Sequence, residues 1–157
     1  ELSDTSNLTD EDFIDWGHNE KYVKAIGVGE CAGVVIDLVA TLLFESEEKI
    51  ENASEALKEG QWSDSIYHSY AAIINTAKAL LTSEGAKTNT QAGIITSFDK
   101  VFVETNKIEL PTTFSELVYQ INENEPTEAF AKKYLHEAET FYTTIDAYRK
   151  VEVELEN

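Results

Sequence analysis

A chain of 157 residues with 42% hydrophobic content fits one domain, large enough to bury roughly 70% of the surface its unfolded form exposes, and its 7 glycines and 2 prolines leave little punctuation for strands. The formal net charge of -18, with Arg149 as the single arginine, opposes the clustered basic surface that a phosphate backbone requires and argues against nucleic acid as a direct partner. The longest apolar run, residues 31–44, contains Asp37 and falls short of the roughly 20 residues of a membrane span; no secretory signal pattern is present, and a lone Cys31 cannot form an internal disulfide. These features predict a cytoplasmic protein that does not engage membrane. The sequence contains no methionine, which predicts a piece of a longer polypeptide.

Residues 1–12 are polar and acidic and read as a linker or disordered lead-in. Residues 13–33 read as an N-terminal arm ending in a glycine-rich loop: Phe13, Ile14 and Trp16 form an aromatic patch, residues 22–26 add an apolar segment, and Gly27, Gly29 and Gly33 surround Glu30 and Cys31. From about Ala32 a first helix is predicted to Lys58, burying Val35, Leu38, Val39, Leu42, Leu43, Ile50, Ala53 and Leu57 and stopping at Gly60.

The second helix, residues 61–82, organises the rest. Ile66, Tyr70, Ile73, Ile74, Ala77, Leu80 and Leu81 recur at three- and four-residue steps on one face, while His68, Ala72, Asn75 and Ala79 make a small, weakly polar stripe on the other. With little charge on either side, this helix is expected to be covered on both. Ser63 or Asp64 is its expected cap. A third segment buries Ile94, Ile95, Phe98, Val101 and Phe102 before Pro111, and residues 113–122 form a short helix with Phe114, Leu117, Val118 and Ile121 inward. Pro126 is placed in the first turn of a long final helix, whose packing face is Ala129, Phe130, Tyr134, Ala138, Phe141, Tyr142, Ile145 and Tyr148. Residues 151–157 are an acidic tail expected to fray. The predicted fold is all-α, an antiparallel up-and-down bundle of about five helices over residues 34–150.

The run ASEALKEGQWSDSIYHSYAAIINTAKALL, followed by a glycine loop and GIITSFDKVFVETNKI, resembles the HEPN family of small helical bundles over about residues 46–150. The resemblance implies a dimer. It also raises a ribonuclease chemistry that depends in family members on an Arg-x4-6-His motif. This chain departs from that motif: Gln91 stands at the histidine position, and Glu84, Gly85 and Ala86 hold the places where arginine is needed. An amide does not exchange a proton near neutral pH as imidazole does, so the resemblance points to a non-catalytic member. A second stretch, DFIDWG with VGECAGVVIDLVATLLFE, is similar to an extension found after the catalytic part of some siroheme nitrite/sulfite reductases and covers residues 12–45. It implies an upstream reductase domain or redox donor as partner, with siroheme and iron-sulfur cluster in the parent chain. One thiolate cannot hold such a cluster, so no cofactor is expected in this domain.

Three features compete as sites. Cys31 at the entrance to a helix is a candidate redox or sulfur-handling group, against a plain packed residue whose neighbour Glu30 disfavours the thiolate. Gly27, Gly29 and Gly33 are a candidate anion-binding loop, the basis of an alternative reading as a nucleotide or small-anion module, against glycines used for a tight turn or close packing. His68, Ala72, Asn75 and Ala79 are a candidate interface or ligand stripe, against a histidine that simply satisfies a neighbour. His136 lies three residues after Lys133 and His68 three after Ser65, so the Glu-x-x-His pairs of carboxylate metal sites are missing and no metal is expected.

Overall fold

A computed structural model describes residues 28–86 and 89–156, with side chains from 33 to 152. Among the described residues five α-helices follow one another: α1 Val28–Lys58, α2 Trp62–Ser83, α3 Gln91–Phe98, α4 Phe114–Glu123 and α5 Glu128–Glu156, with a π-helical turn Asp99–Val103 continuing α3. There is no strand among the described residues. The expected all-α, antiparallel up-and-down bundle is the fold observed. Residues 38–157 form one compact unit. The lead-in, the aromatic patch of Phe13, Ile14 and Trp16, the apolar segment 22–26, Gly27 and the Cys31 side chain lie outside the described residues, and with them much of the reductase-like stretch.

The stretch expected to be a glycine-rich loop is helical from Val28 onward. Helix α1 starts at Val28, so Gly29 and Gly33 are helical residues, and the Gly33 amide falls within the i to i−4 hydrogen-bond ladder instead of pointing into an anion nest. A Cβ at Gly33 would meet nothing within 4 Å, so close packing does not require glycine there either. Val35 and Leu38, expected to be buried, are exposed; inward packing of α1 begins at Val39. At its other end the helix closes as expected. Gly60 sits at φ 77°, and the Gln61 amide reaches back to the Ala56 carbonyl at 2.9 Å. A Cβ at Gly60 would touch only the Trp62 ring, at 3.9 Å, so the cost of a side chain is in the backbone. Gly60→Ala is therefore expected to lower stability by about 1 kcal/mol, measured by urea unfolding, with no change of fold.

Helix α2 begins without side-chain help. Its cap residue is Gln61, which makes no capping bond, while Ser63 and Asp64 lie inside the first turn, where Asp64 favours the positive end of the helix dipole. Its predicted apolar face is buried, apart from a partly exposed Tyr70. The reverse side is covered too, by a stripe one step away from the predicted one: Ser65, Ser69, Ala72, Thr76 and Ala79 are each no more than 1% exposed. Small side chains at steps of four and three let α1 approach closely. Ser65 Oγ donates to the Ala53 carbonyl at 2.8 Å, and Ala79 packs in a cluster with Val39, Leu42 and Leu43.

The larger cluster joins α2 to the C-terminal half. Phe98 is fully buried, with ring centroids 4.6 Å from Phe114, 5.1 Å from Phe102 and 5.4 Å from Phe141. In the π turn the Glu104 amide bonds to the Asp99 carbonyl at 2.8 Å, one residue further back than in an α-helix. The chain then reverses through Asn106 at φ 61°, a conformation asparagine tolerates better than most residues. Every orphan amide of the first turn of α4 is satisfied. Asp99 accepts from Phe114 N at 2.7 Å and Ser115 N at 3.0 Å, Thr113 Oγ1 accepts from Glu116 N at 3.1 Å, and Glu116 Oε1 accepts from Thr113 N at 3.1 Å.

Helix α5 begins one residue after Thr127, whose hydroxyl accepts from Phe130 N at 3.1 Å; Pro126 precedes the helix instead of sitting in its first turn. Ala129 faces solvent, and Ala131 and Leu135 are buried in its place. The Tyr134 hydroxyl crosses to α4 and donates to the Val118 carbonyl at 3.1 Å; burial, with Glu137 nearby, pushes this phenol far above its usual pKa. The segment expected to fray continues the helix to Glu156. Among the described residues no helix is long and apolar enough to cross a membrane.

Candidate functional site at the junction of α2 and α3

The start of α3 is fixed locally. Thr90, in an extended conformation, accepts from the Gly93 amide at 2.9 Å, and its carbonyl accepts from Ile94 N at 2.9 Å. A Cβ at Gly93 would lie 3.0 Å from Thr90 Oγ1, so glycine is what leaves room for the cap. Gln91 becomes the first helical residue, and its side-chain oxygen accepts a hydrogen bond from the Tyr70 hydroxyl on α2. Burial, with Tyr119 and Tyr67 close by, raises the Tyr70 pKa above the usual phenol value, so it is a neutral donor at physiological pH.

Around this pair lies an aromatic patch. Tyr67 is 58% exposed and Tyr119 44% exposed, and the Tyr67 ring stands 6.5 Å from Tyr70 and 5.8 Å, edge-on, from His68. His68 is partly exposed, but its Nδ1 is buried without a hydrogen-bond partner among the described residues. Glu84 and Gly85 are exposed, and Gly85 turns the chain at φ 79°, with the Ala86 amide bonded to the Leu81 carbonyl at 3.0 Å. Chemically the junction offers phenols, an amide and one imidazole, and neither Glu84, Gly85 nor Ala86 supplies a cation beside Gln91.

The sequence-derived candidates are dispersed. His68 and Asn75 are partly exposed, but Ala72 and Ala79 are at 1% and 0% exposure; Ala79 is covered by α1 residues, so the stripe is not open as a whole to a partner. Gly29 and Gly33 are in α1, and the thiol of Cys31 is outside the described residues. What the sequence reading missed is the tyrosine patch. Tyr67 and Tyr70 are adjacent turns of one helix, which was visible, but Tyr119 arrives from α4, fifty residues later in rough terms, and only the fold brings it there.

Comparison with known proteins agrees with the architecture. The HEPN domain family matches residues 39–151. No curated protein and no solved structure matches the chain.

Proposed function

Because the chain belongs to the HEPN domain family, we propose that it is a non-catalytic member that works by association, a homodimerising accessory domain whose contact surface is the tyrosine patch at α2, α3 and α4. The observation that carries this reading is the Tyr70–Gln91 hydrogen bond. On the resemblance that aligns Gln91 with the family's histidine position, the pair supports this reading because neither a neutral phenol nor an amide is a general base near neutral pH. Tyr67 and Tyr119 supply the large, amphipathic side chains that enrich the centres of protein interfaces. The net charge of -18 opposes self-association at low ionic strength, so the dimer gains from added salt, which screens the repulsion. The setting beside a siroheme nitrite/sulfite reductase, with docking of a redox donor as the task, belongs to this proposal on the resemblance of residues 12–45 alone.

Light scattering coupled to gel filtration tests it. The wild-type domain is expected at twice its 17.6 kDa mass in physiological salt, and Tyr67→Glu combined with Tyr119→Glu at the single mass with an unchanged helical circular dichroism spectrum. A wild-type monomer at high micromolar concentration, or a dimer indifferent to both substitutions, would remove the patch as the interface.

A further inference from the structure

A groove of about 560 Å³ lies between α4 and α5, bordered by residues 109–112, away from the Gln91 site. Its volume is that of a small-molecule pocket. Leu110, Pro111, Leu117 and Phe141 give it an apolar lining, and four glutamates, Glu109, Glu116, Glu123 and Glu137, stand around that lining against one lysine, Lys133, and one histidine, His136. The lysine is already engaged: its Nζ lies 2.7 Å from Gln120 Oε1 and 3.5 Å from Glu137 Oε2, and Gln120 Nε2 donates in turn to Glu137 Oε1 at 2.8 Å. Glu116 is also engaged, accepting from Thr113 N in the capping box of α4. Glu109 and Glu123 are different. Both are exposed, and the ion pairs among the described residues, Lys132–Glu128, Lys133–Glu137 and Lys150–Asp146, take up neither.

An apolar trough flanked by uncompensated carboxylates has a definite complement. A metal ion would leave the apolar lining unused, an anion would meet repulsion, and a neutral lipid would leave the carboxylates unanswered. We propose that the groove binds an aliphatic polyamine, with the methylene chain lying along Leu110 and Pro111, the accessible part of the apolar lining, over the buried Leu117 and Phe141, and ammonium groups reaching Glu109 and Glu123. Buried methylenes supply the affinity and the two carboxylates select for the charged ends. The assignment is independent of the tyrosine patch and of the oligomeric state.

Titration with spermidine, by calorimetry and by amide chemical shifts of the intact domain, decides it. Spermidine is expected to bind with 1:1 stoichiometry and to shift Leu117 and the Gln120 side-chain amide, while 1-hexanol, which lacks the charge, binds at least about tenfold more weakly. Glu109→Gln with Glu123→Gln should weaken spermidine by about tenfold, the loss of two exposed ion pairs. Thr140→Trp, at an exposed groove position, should block binding without unfolding the domain. The control is Glu48→Gln with Glu51→Gln, which removes the same charge from an exposed part of α1 and should leave binding unchanged. Equal weakening by both pairs would reduce the effect to diffuse attraction by an acidic protein and overturn the site, as would the absence of spermidine binding or unaltered binding to Thr140→Trp.

Discussion

Phe98→Ala is expected to lower the free energy of unfolding by about 3–5 kcal/mol, the range for truncating a fully buried phenylalanine in a site that cannot collapse around the gap. Phe98 is 0% exposed, and its ring meets Phe102, Phe114 and Phe141, so a single truncation strips aromatic contacts from the π turn, α4 and α5 together. Each such ring pair contributes about 0.5–1.5 kcal/mol beyond its buried area. Domains of this size are typically stable by about 5–15 kcal/mol, so the variant would keep only a margin of its native stability. Guanidinium unfolding followed by circular dichroism measures the loss. Phe44→Ala is the reference, because Phe44 is 59% exposed and its removal should change stability by less than about 0.5 kcal/mol. Similar losses for the two would mean that the bundle is not centred on the Phe98 cluster.

Asp99→Ala is expected to cost about 2–3 kcal/mol, more than an ordinary cap. Its carboxylate accepts from two backbone amides of α4, and also from Ser115 Oγ at 2.6 Å, across fifteen residues of sequence. An N-cap contributes about 0.5–2 kcal/mol and charged hydrogen bonds lie at the upper end, while the truncation leaves partly buried donors without a partner. Asp99→Asn keeps an acceptor oxygen and should recover about half of the loss. Hydrogen exchange gives the local readout: the amides of Phe114 and Ser115 should lose protection well before those of α2. Uniform loss of protection along the chain would show that Asp99 acts on global stability and not through the start of α4.

The residues that predicted the helices did so because apolar spacing reports burial directly. Three- and four-residue steps put Ile73, Leu80, Leu81, Ile94, Phe98 and Phe141 in the interior, and all are 5% exposed or less. Small residues carry no such signal. The spacing puts Ala129 inside, yet it is exposed; Ala131, which the spacing does not single out, is fully buried; and the close seam of Ser65, Ser69 and Thr76 gives no sign of itself, because hydroxyls read as polar until a neighbouring backbone covers them. Helix starts were equally ambiguous. Ser63 and Asp64 have capping chemistry but lie in the first turn, whereas Thr113 and Thr127 are caps because tertiary packing fixes where α4 and α5 begin. The reach of Asp99 to the start of α4 joins residues fifteen apart in sequence and leaves no local pattern to read. At the candidate site, the absence of an arginine-histidine pair was legible residue by residue, but the hydrogen bond that occupies Gln91 and the arrival of Tyr119 required the fold.

That the site at Gln91 is occupied by a phenol-amide pair and performs no hydrolysis is the claim on which the functional account rests. It is tested most directly by incubating the purified domain with end-labelled single-stranded RNA and following cleavage over hours on a denaturing gel, beside Tyr70→Phe and Gln91→Ala. The account predicts intact RNA in all three lanes. Cleavage by the wild-type domain that Gln91→Ala or Tyr70→Phe abolishes would contradict it.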